Sequence, residues 1–354
     1  MLKKLALIIL ILILPLLLLS CSGKDDSSEQ EASTVENTTT VPVVPSPMET
    51  TVEQTAPDPA EGFVKPAAGI RPIAVMIDNE GTRSLPQGGL DKAQVIYEVI
   101  VEGGETRLMP IFWNVAPEMI GPVRSSRDYF LDYTMEHDAI YVHFGWSPKA
   151  QRDIPKLKIN NINGVSNGGE IFWDLTKDRG NWQDSYTSMQ KIMDYVKKVK
   201  YRTETDKKPV FSYNDADVEL SGGQSAVKLS LRYSASYTCG YEYDPAAKAY
   251  NRIRKGSPQM ERVTGKQLKA RNIIIQYTHN NAINGDDKDR QELDTIGSGN
   301  GYFITCGKAV KIKWSKEARS AQTKYTDESG KEITLNPGQT WIQVLPLTGK
   351  VTIE

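Results

Sequence analysis

The first twenty residues determine how much of this chain is left to fold. They contain two lysines, an apolar run from Leu5 to Leu19, and then a serine directly before Cys21. This order is typical of a signal peptide for export. The apolar run is broken by Pro15 and is shorter than the roughly 20 residues that a membrane-spanning helix needs. We therefore expect residues 1–20 to be removed.

The segment "LLSC", which ends at Cys21, resembles the lipobox of bacterial lipoproteins, in which the cysteine is diacylated and becomes the new N-terminus. We expect Cys21 to carry the lipid and to hold the protein at the outer face of the bacterial cytoplasmic membrane. Two acyl chains anchor a protein stably, whereas a single chain is marginal. In the alternative, the apolar run is not cleaved and is itself the anchor. Both possibilities place the rest of the chain outside the cytoplasm.

Residues 21–62 have the composition of a disordered acidic tether that begins at the lipidated cysteine. They are rich in Ser, Thr, Glu, Pro and Val, lack aromatic residues, and hold nine acids and one lysine. Such a segment buries too little apolar surface to offset the entropy of ordering. As a flexible coil, about forty residues span roughly 35 Å on average. That length lets a tethered domain explore the inner cell wall.

The remainder of the chain is mildly basic. The whole chain has 43 bases and 44 acids, and residues 63–354 hold 40 of the bases and 35 of the acids, a net charge of +5. Nucleic-acid-binding proteins usually show denser basic clusters. We therefore expect no nucleic-acid partner.

The pattern of apolar residues predicts an α+β fold in two domains. Residues 63–205 mix strands, such as "RPIAVMIDN" and "AQVIYEVIVEGG", with helices, such as "SSRDYFLDYTMEHD" with a serine N-cap. The first strand is so uniformly apolar that we expect it to be covered on both faces. Residues 206–354 alternate in short β-like runs separated by Gly, Asp and Pro, which predicts a mostly antiparallel, β-rich domain.

Two cysteines remain if Cys21 is lipidated. Cys239 and Cys306 each lie in a "TCG" within strand-like sequence. Outside the cytoplasm a disulfide between them would close a loop of about 67 residues, worth on the order of 4 kcal/mol in the chain-entropy model. Two free thiols are the alternative, because pairing depends on a Cα separation that the sequence does not give.

Polar side chains follow four predicted strands of the first domain. They are Asp78 after the first strand, Glu102 and Arg107 after the second, Arg124 and Arg127 after the third, and His143 at the end of the fourth. In open sheets with a parallel core, ligands bind beyond the carboxyl ends of the strands. If these strands are neighbours, the polar groups converge.

The segment "IGPVRSSRDYF" places Arg124 and Arg127 where a helix is predicted to begin. One interpretation is that they neutralise Glu98 and Glu102, which share a face of the second strand and are costly to bury without cationic partners, or that Arg124 pairs with Asp128. The other is an anion site, in which guanidinium groups and helix N–H groups bind a carboxylate or phosphate. Both interpretations stay open.

His143 has three interpretations: a general base, a metal ligand, or a hydrogen-bonded histidine at the end of a buried strand, which we favour. Its candidate partners are Ser125 or Ser147 for the base, and Asp78, Glu98 or Glu102 for the metal. The sequence has no "GxSxG" elbow at these serines, no His-x-x-x-His and no paired-cysteine spacing. We therefore interpret Ser125 and Ser126 as capping residues and predict no metal and no cofactor. In "RGNWQDSYTS", Arg179 or Asn181 is a weaker candidate for the cleft in which the polar groups at the strand ends would converge.

Six segments together resemble the DUF3048 family of YerB-like lipoproteins of Gram-positive bacteria. They are "RPIAVMIDN", "VIYEVIVEGGETR", "IGPVRSSRDYF", "HFGWSPKA", "TIGSGNGYF" and "NPGQTWIQVLP". The resemblance runs from about Arg71 to the C-terminus. It implies an N-terminal and a C-terminal domain, in agreement with a division near residue 205, and it implies no established activity. After Arg179 this chain has "NWQ" where the family is expected to have "PHN", so no histidine acts at that point here.

Three functions are compatible with the sequence. The favoured hypothesis is a membrane-anchored lipoprotein that binds an anionic envelope ligand, or acts in envelope assembly, without being an enzyme. The ligand would be a wall-polymer phosphate, a lipid head group or a peptide carboxylate, bound by Arg107, Arg124 and Arg127 beside Ser125, His143, Glu102 and Asp78. The second hypothesis is an envelope hydrolase or transferase that uses His143 with Ser125 or Ser147. The third is a scaffold that recruits other envelope proteins.

Overall fold

The computed structural model describes residues 62–177 and 183–354. The predicted signal peptide, the lipidation of Cys21 and the tether lie outside these residues, as do Arg179 and Asn181. Within the two described ranges, no helix is long and apolar enough to cross a membrane.

The described residues up to 205 form short strands and four α-helices. In order they are β1 (Gly69–Ile70), β2 (Ile73–Val75), β3 (Ile77–Asp78), β4 (Val95–Ile100), β5 (Thr106–Phe112), α1 (Asp128–Glu136), β6 (Ile140–His143), α2 (Pro148–Lys156), β7 (Asn161–Asn163), α3 (Gly164–Ile171), β8 (Trp173–Asp174), β9 (Ser185–Tyr186), α4 (Met189–Lys198) and β10 (Glu204–Thr205).

The rest of the chain forms strands. They are β11 (Ser212–Tyr213), β12 (Gln224–Ser225), β13 (Lys228–Arg232), β14 (Thr238–Asp244), β15 (Ala249–Arg254), β16 (Ser257–Pro258), β17 (Lys269–Ala270), β18 (Asn272–Thr278), β19 (Asn280–Ala282), β20 (Gln291–Leu293), β21 (Gly297–Thr305), β22 (Lys308–Lys316), β23 (Lys324–Thr326), β24 (Thr334–Leu335), β25 (Thr340–Pro346) and β26 (Lys350–Ile353).

Helix α4 shows how the local sequence sets an element's limits. The hydroxyl of Ser188 accepts a hydrogen bond from the backbone N–H of Lys191 (3.3 Å), which caps the N-terminus. Met189, Ile192 and Val196 recur at helical spacing and are buried. Helix α1 differs from the prediction, because Arg127 occupies its N-cap position and no side chain caps it. The predicted serine N-cap of this helix is therefore wrong.

The largest sheet has twelve strands and runs through both halves of the chain. Its order is β12-β22-β21-β18-β25-β4-β5-β2-β6-β7, with β23 on β22 and β3 on β5. The two halves join where β25 pairs in parallel with β4, which places Gln343 opposite Glu98. A second sheet of six strands, β16-β15-β14-β13-β26 with β17 on β15, is antiparallel and comes from the second half alone. The predicted α+β fold is confirmed, while the division into domains at residue 205 stays a prediction.

The twelve-stranded sheet is covered on both faces. Ile73, Val75 and Ile77 lie in one apolar core, which also holds residues of α4 and of the six-stranded sheet. Ala74 and Met76, which alternate with them, lie in a second core that holds residues of α1. The prediction that "RPIAVMIDN" is covered on both faces is therefore confirmed.

Cys239 and Cys306 are free thiols in this structure. Cys239 is buried on β14 in the six-stranded sheet, whereas Cys306 is half-buried directly after β21 in the twelve-stranded sheet. Of the two alternatives for these cysteines, the structure shows unpaired thiols. Burial raises the pKa of Cys239 to about 12, so this thiol stays protonated and unreactive at neutral pH.

The two sheets meet at a buried ion pair. Glu98 on β4 and Arg252 on β15 are both fully buried, and Nη2 of Arg252 donates to Oε2 of Glu98 at 2.5 Å. The Arg252 guanidinium lies 4.6 Å from the centre of the Trp341 ring and 4.8 Å from that of Tyr241. The hydroxyl of Thr106 donates to Oε1 of Glu98 at 2.8 Å. The partner of Glu98 is therefore Arg252, not one of the arginines at the start of α1 as one interpretation of the sequence proposed.

Breaking this pair should destabilise the fold. Arg252→Met leaves the Glu98 carboxylate buried without a cation, so we expect the free energy of unfolding in urea to fall by about 3–5 kcal/mol. Adding Glu98→Gln to that variant should restore part of the loss, because the carboxylate that lost its partner is then removed. The matched control is Lys228→Met, which breaks the half-exposed pair with Glu242 (3.3 Å) and should cost about 1 kcal/mol or less. Equal losses for Arg252→Met and Lys228→Met would contradict the role given to the buried pair.

Candidate functional site

Glu102 and Arg107 lie at the same edge of the large sheet because a tight turn connects β4 to β5. The turn spans Glu102–Gly104, and its two glycines have φ values of 64° and 71°. Glycine adopts this left-handed conformation without steric cost. The strands pair with Val99 opposite Arg107. The start of β5 therefore returns Arg107 to the edge at which β4 ended.

Arg124 and Arg127 reach this edge by a different route from the predicted one. Strand β5 is antiparallel to β4, so its carboxyl end lies at the opposite edge of the sheet. The chain then runs back beside β3: the N–H of Asp78 donates to the carbonyl of Pro122 (2.9 Å), and that of Arg124 donates to the carbonyl of Met76 (2.8 Å). The returning segment, rather than a strand end, delivers the two arginines.

The segment after β6 is hydrogen-bonded to the arginine segment. The N–H of Phe144 donates to the carbonyl of Arg124 (2.9 Å), and the N–H of Ser147 donates to the carbonyl of Ser126 (3.0 Å). Between them, the N–H of Ser126 donates to the carbonyl of Gly145 (3.0 Å). These bonds hold residues 144–147 beside Arg124 and Arg127.

These segments surround a cavity of about 330 Å³, which we call the cationic cavity. Its lining residues are Glu80, Glu102, Arg107, Arg124, Arg127, Trp146, Ser147, Pro148, Lys288 and Arg290. Five of these ten side chains are cationic and two are acidic. Of the seven ligand-binding residues predicted from the sequence, four line the cavity: Glu102 and the three arginines.

Two arginines share one carboxylate in this cavity. Nε of Arg127 donates to Oε1 of Glu102, and Nη2 of Arg107 lies 3.5 Å from Oε2 of the same side chain. Burial alone would raise the pKa of Glu102, but Arg107 and Arg127 hold it below its ordinary value. Glu102 is therefore ionised at neutral pH and neutralises only one of the two guanidinium groups.

Arg107 is buried and incompletely paired. Its Nη1 donates to the carbonyl of Ser125 at 2.7 Å, while its Nε is buried and has no hydrogen-bond partner among the described residues. Burial, with repulsion from Arg127 and Arg124, lowers the pKa of Arg107 to about 10. The group remains charged at neutral pH in a site that disfavours its charge, so an added anion would stabilise it.

Arg124 is held by Asp78. Its Nε donates to Oδ2 of Asp78 at 3.0 Å, and its Nη2 lies 3.9 Å from Oε2 of Glu80. Asp78 is fully buried and also accepts from Nε2 of Gln183 at 2.8 Å. Asp78 does not line the cavity. From outside the cavity lining, its carboxylate orients the Arg124 side chain.

Lys288 and Arg290 come from the second half of the chain and were not predicted from the sequence. Nη1 of Arg290 lies 3.2 Å from Oδ2 of Asp286, and Nζ of Lys288 lies 3.5 Å from Oδ2 of Asp287. Their run, "DDKDR", reads as an ordinary charged loop. No local signal connects it with residues near Arg127.

His143 lies behind the cavity rather than in it. Its Nδ1 is 2.8 Å from the carbonyl of Gly145 and its Nε2 is 3.1 Å from Oδ1 of Asn161. Both partners are oxygen atoms that accept hydrogen bonds, and a neutral imidazole has one N–H, so one of the two ring nitrogens donates to the fold. Burial lowers the pKa of this imidazole, which favours its neutral form. Both ring nitrogens are thus occupied by the fold, as in the favoured interpretation of a hydrogen-bonded histidine at a strand end.

The serines are also held by the fold. The hydroxyl of Ser147 accepts from the N–H of Ala150 (3.2 Å) and caps α2. The hydroxyl of Ser125 accepts from Nη1 of Arg124 at 3.4 Å, and that of Ser126 accepts from the hydroxyl of Tyr141 at 2.8 Å. The interpretation of Ser125 and Ser126 as capping residues is wrong, because neither hydroxyl accepts a hydrogen bond from an N–H group of α1.

The candidate metal ligands do not come together. Glu98 pairs with Arg252, Glu102 with Arg107 and Arg127, and Asp78 with Arg124. In the part of the chain that the structure describes, no group of three or more histidine, cysteine or acidic residues could hold a metal ion.

The fold and the site define a two-sheet α+β protein with the cationic cavity at the edge of its larger sheet. The family models for the N-terminal and C-terminal domains of "Protein of unknown function (DUF3048)" match residues 62–202 and 229–342. The chain belongs to this family.

A curated relative and a solved structure are also similar to this chain. "Putative lipoprotein YerB" of Bacillus subtilis (strain 168) is 30% identical over 302 residues, which cover 82% of this chain and 88% of the relative. The crystal structure of YerB protein from Bacillus subtilis superposes with a TM-score of 0.72 at 27% identity, over 83% of this chain and 98% of that one.

The hydroxyl of Ser147 should matter for stability. Because it caps α2, Ser147→Ala should lower the free energy of unfolding by about 1 kcal/mol, whereas Ser147→Asn, which retains a capping oxygen, should cost less. Ser188→Ala at the N-cap of α4 is the matched control and should show a similar loss. Urea denaturation measures all three. An unchanged midpoint for Ser147→Ala, beside a lowered one for Ser188→Ala, would show that the capping bond contributes nothing.

Proposed function

We propose that this protein is an extracytoplasmic lipoprotein that binds an anionic group of the cell envelope in the cationic cavity. The observation that carries the proposal is that Arg107 and Arg127 share the single carboxylate of Glu102. A bound anion would supply the second negative charge for these two guanidinium groups.

The chemistry of the cavity suits phosphate or carboxylate. Guanidinium groups present paired N–H donors that match the oxygens of both anions. Arg107 is buried and Arg124 and Arg127 are mostly buried, so water screens their charges less than it screens surface charges. Three such groups around one opening provide several donors to a single anion.

The cavity and the N-terminal end of the described chain lie at opposite ends of strand β4, an arrangement that is compatible with a ligand in the wall or at the membrane surface. The described chain enters the body beside the start of β4, where Nε2 of Gln94 donates to the carbonyl of Val64 (3.0 Å). The cavity lies beyond the other end of β4. Six strand residues at about 3.3 Å each place these two points roughly 20 Å apart.

The contacts of His143 and Ser147 favour binding over catalysis. A general base needs a free ring nitrogen within hydrogen-bond reach of the nucleophile. Both nitrogens of His143 contact Gly145 and Asn161, and the Ser147 hydroxyl caps a helix. These contacts give the hydrolase or transferase hypothesis no support.

Membrane attachment through Cys21 is supported by two observations. The segment "LLSC" resembles a lipobox. A relative that is 30% identical carries the name "Putative lipoprotein YerB". Recruitment of other envelope proteins would use a different surface and is compatible with this attachment.

Binding of an anion should depend on Arg127. We expect inorganic phosphate to bind the purified full chain, measured by calorimetry, with an affinity that falls as sodium chloride is raised. Arg127→Gln should weaken binding about tenfold or more, because one guanidinium group and its charge are removed. This variant keeps Glu102 paired with Arg107.

The matched control for this experiment is Arg232→Gln, an exposed arginine on β13 that lies outside the cavity lining. It should bind phosphate as the unmodified chain does. Binding that is absent in the unmodified chain, or equally weakened in both variants while each keeps its thermal midpoint, would overturn the proposal.

Lipid attachment should depend on Cys21. Cells that express Cys21→Ala should accumulate uncleaved precursor or release the protein into the medium, and the variant should take up no labelled fatty acid. The matched control is Cys306→Ala, which removes a cysteine of the folded body and should keep the label. If the unmodified chain takes up no label and Cys21→Ala still fractionates with membranes at the mature size, the anchor is the uncleaved apolar run.

A further inference from the structure

We infer that the ligand of the cationic cavity is a phosphorylated sugar whose apolar face packs on the Trp146 indole. This inference rests on the proposed function and narrows its ligand from an anion in general to one chemical class. It starts from Trp146, an aromatic residue in the cavity lining that carries no charge and that the sequence did not single out.

Trp146 is held in place by its backbone neighbours. Residues on both sides of it are hydrogen-bonded to Ser126, through the carbonyl of Gly145 and the N–H of Ser147, each at 3.0 Å. Its ring centre lies 5.9 Å from that of His143. The side chain is half-buried, and its Nε1 donates no hydrogen bond to another described residue. The held backbone and the neighbouring imidazole restrict the indole, which offers a stacking surface and an N–H donor to a ligand.

The cavity combines one apolar wall with charges of both signs. Trp146 and Pro148 supply its apolar surface, and cationic side chains supply most of the rest. The Glu80 side chain is half-exposed there. Its carboxylate would repel a bare anion, but it accepts hydrogen bonds from hydroxyl groups. A ligand that matches the cationic side chains, the Glu80 carboxylate and the apolar wall carries an anionic group, hydroxyl donors and one apolar face.

A sugar phosphate has these three parts. The phosphate suits Arg107 and Arg127, the hydroxyls suit Glu80 and the indole N–H, and the C–H face of the ring suits Trp146. A cavity of about 330 Å³ exceeds what a single phosphate ion fills. A nucleotide fits less well, because its base has two apolar faces and the cavity supplies one apolar wall.

The test compares inorganic phosphate, glucose 1-phosphate and glucose as probes of the purified full chain by calorimetry. We expect glucose 1-phosphate to bind about tenfold more tightly than inorganic phosphate, and glucose alone to bind weakly. Trp146→Leu should reduce the preference for glucose 1-phosphate to about twofold or less while leaving the affinity for inorganic phosphate unchanged. Trp173→Leu, at a half-buried tryptophan outside the cavity lining, is the matched control and should keep the preference.

The outcomes separate the inference from the proposed function. If both phosphates bind equally and Arg127→Gln weakens both, the anion site stands and the sugar inference is overturned. If Trp146→Leu weakens inorganic phosphate as much as glucose 1-phosphate, the indole positions the arginines and the inference is again overturned. If neither phosphate binds, the proposed function and the sugar inference are both overturned. Vesicles of phosphatidylglycerol that displace glucose 1-phosphate at equal phosphate concentration would identify a lipid head group as the source and overturn the sugar inference.

Discussion

The ion pair between Glu98 and Arg252 is the interaction on which the arrangement of this molecule depends. Two charges removed from water are costly unless they meet with good geometry and further hydrogen bonds. Here the carboxylate belongs to the strand at which the two halves of the large sheet join, and the guanidinium group belongs to the other sheet. We therefore expect the pair to hold one sheet against the other at one register, more strictly than apolar contacts alone would.

The same network extends to the cationic cavity. Nε of Arg254, also on β15, donates to Oδ1 of Asn79 at 2.9 Å, directly after Asp78. Thr106, which donates to Glu98, directly precedes Arg107. The six-stranded sheet thus fixes the backbone from which Asp78 and Arg107 project. This scaffold also sets which charged groups pair in the cavity. Asp78 pairs with Arg124, and Glu102 alone pairs with both Arg107 and Arg127.

Much of the fold could be predicted from local sequence, because alternation and helical spacing are local properties. Strands β2 to β6 and helix α1 follow from them, whereas α3 could not be predicted because "GVSNGGEI" has three glycines and little amphipathic pattern. The convergence of Glu102, Arg107, Arg124 and Arg127 was expected from four strand ends, although β5 runs antiparallel and the arginines arrive by a returning segment. The partner of Glu98 could not be predicted, because Arg252 is 154 residues away on another sheet. Lys288 and Arg290 could not be predicted either, because they are far in sequence from the other residues of the cavity lining.

The central claim is that an anion completes the charge of the cationic cavity, and diffraction can test it directly. Crystals of the protein soaked in selenate would give an anomalous signal at each bound anion. The strongest peak should lie in the cavity, about 3 Å from guanidinium nitrogens of Arg107 and Arg127, and should be lost in crystals of Arg127→Gln. Anomalous peaks confined to other surfaces, with no anion near Arg107, would contradict the claim.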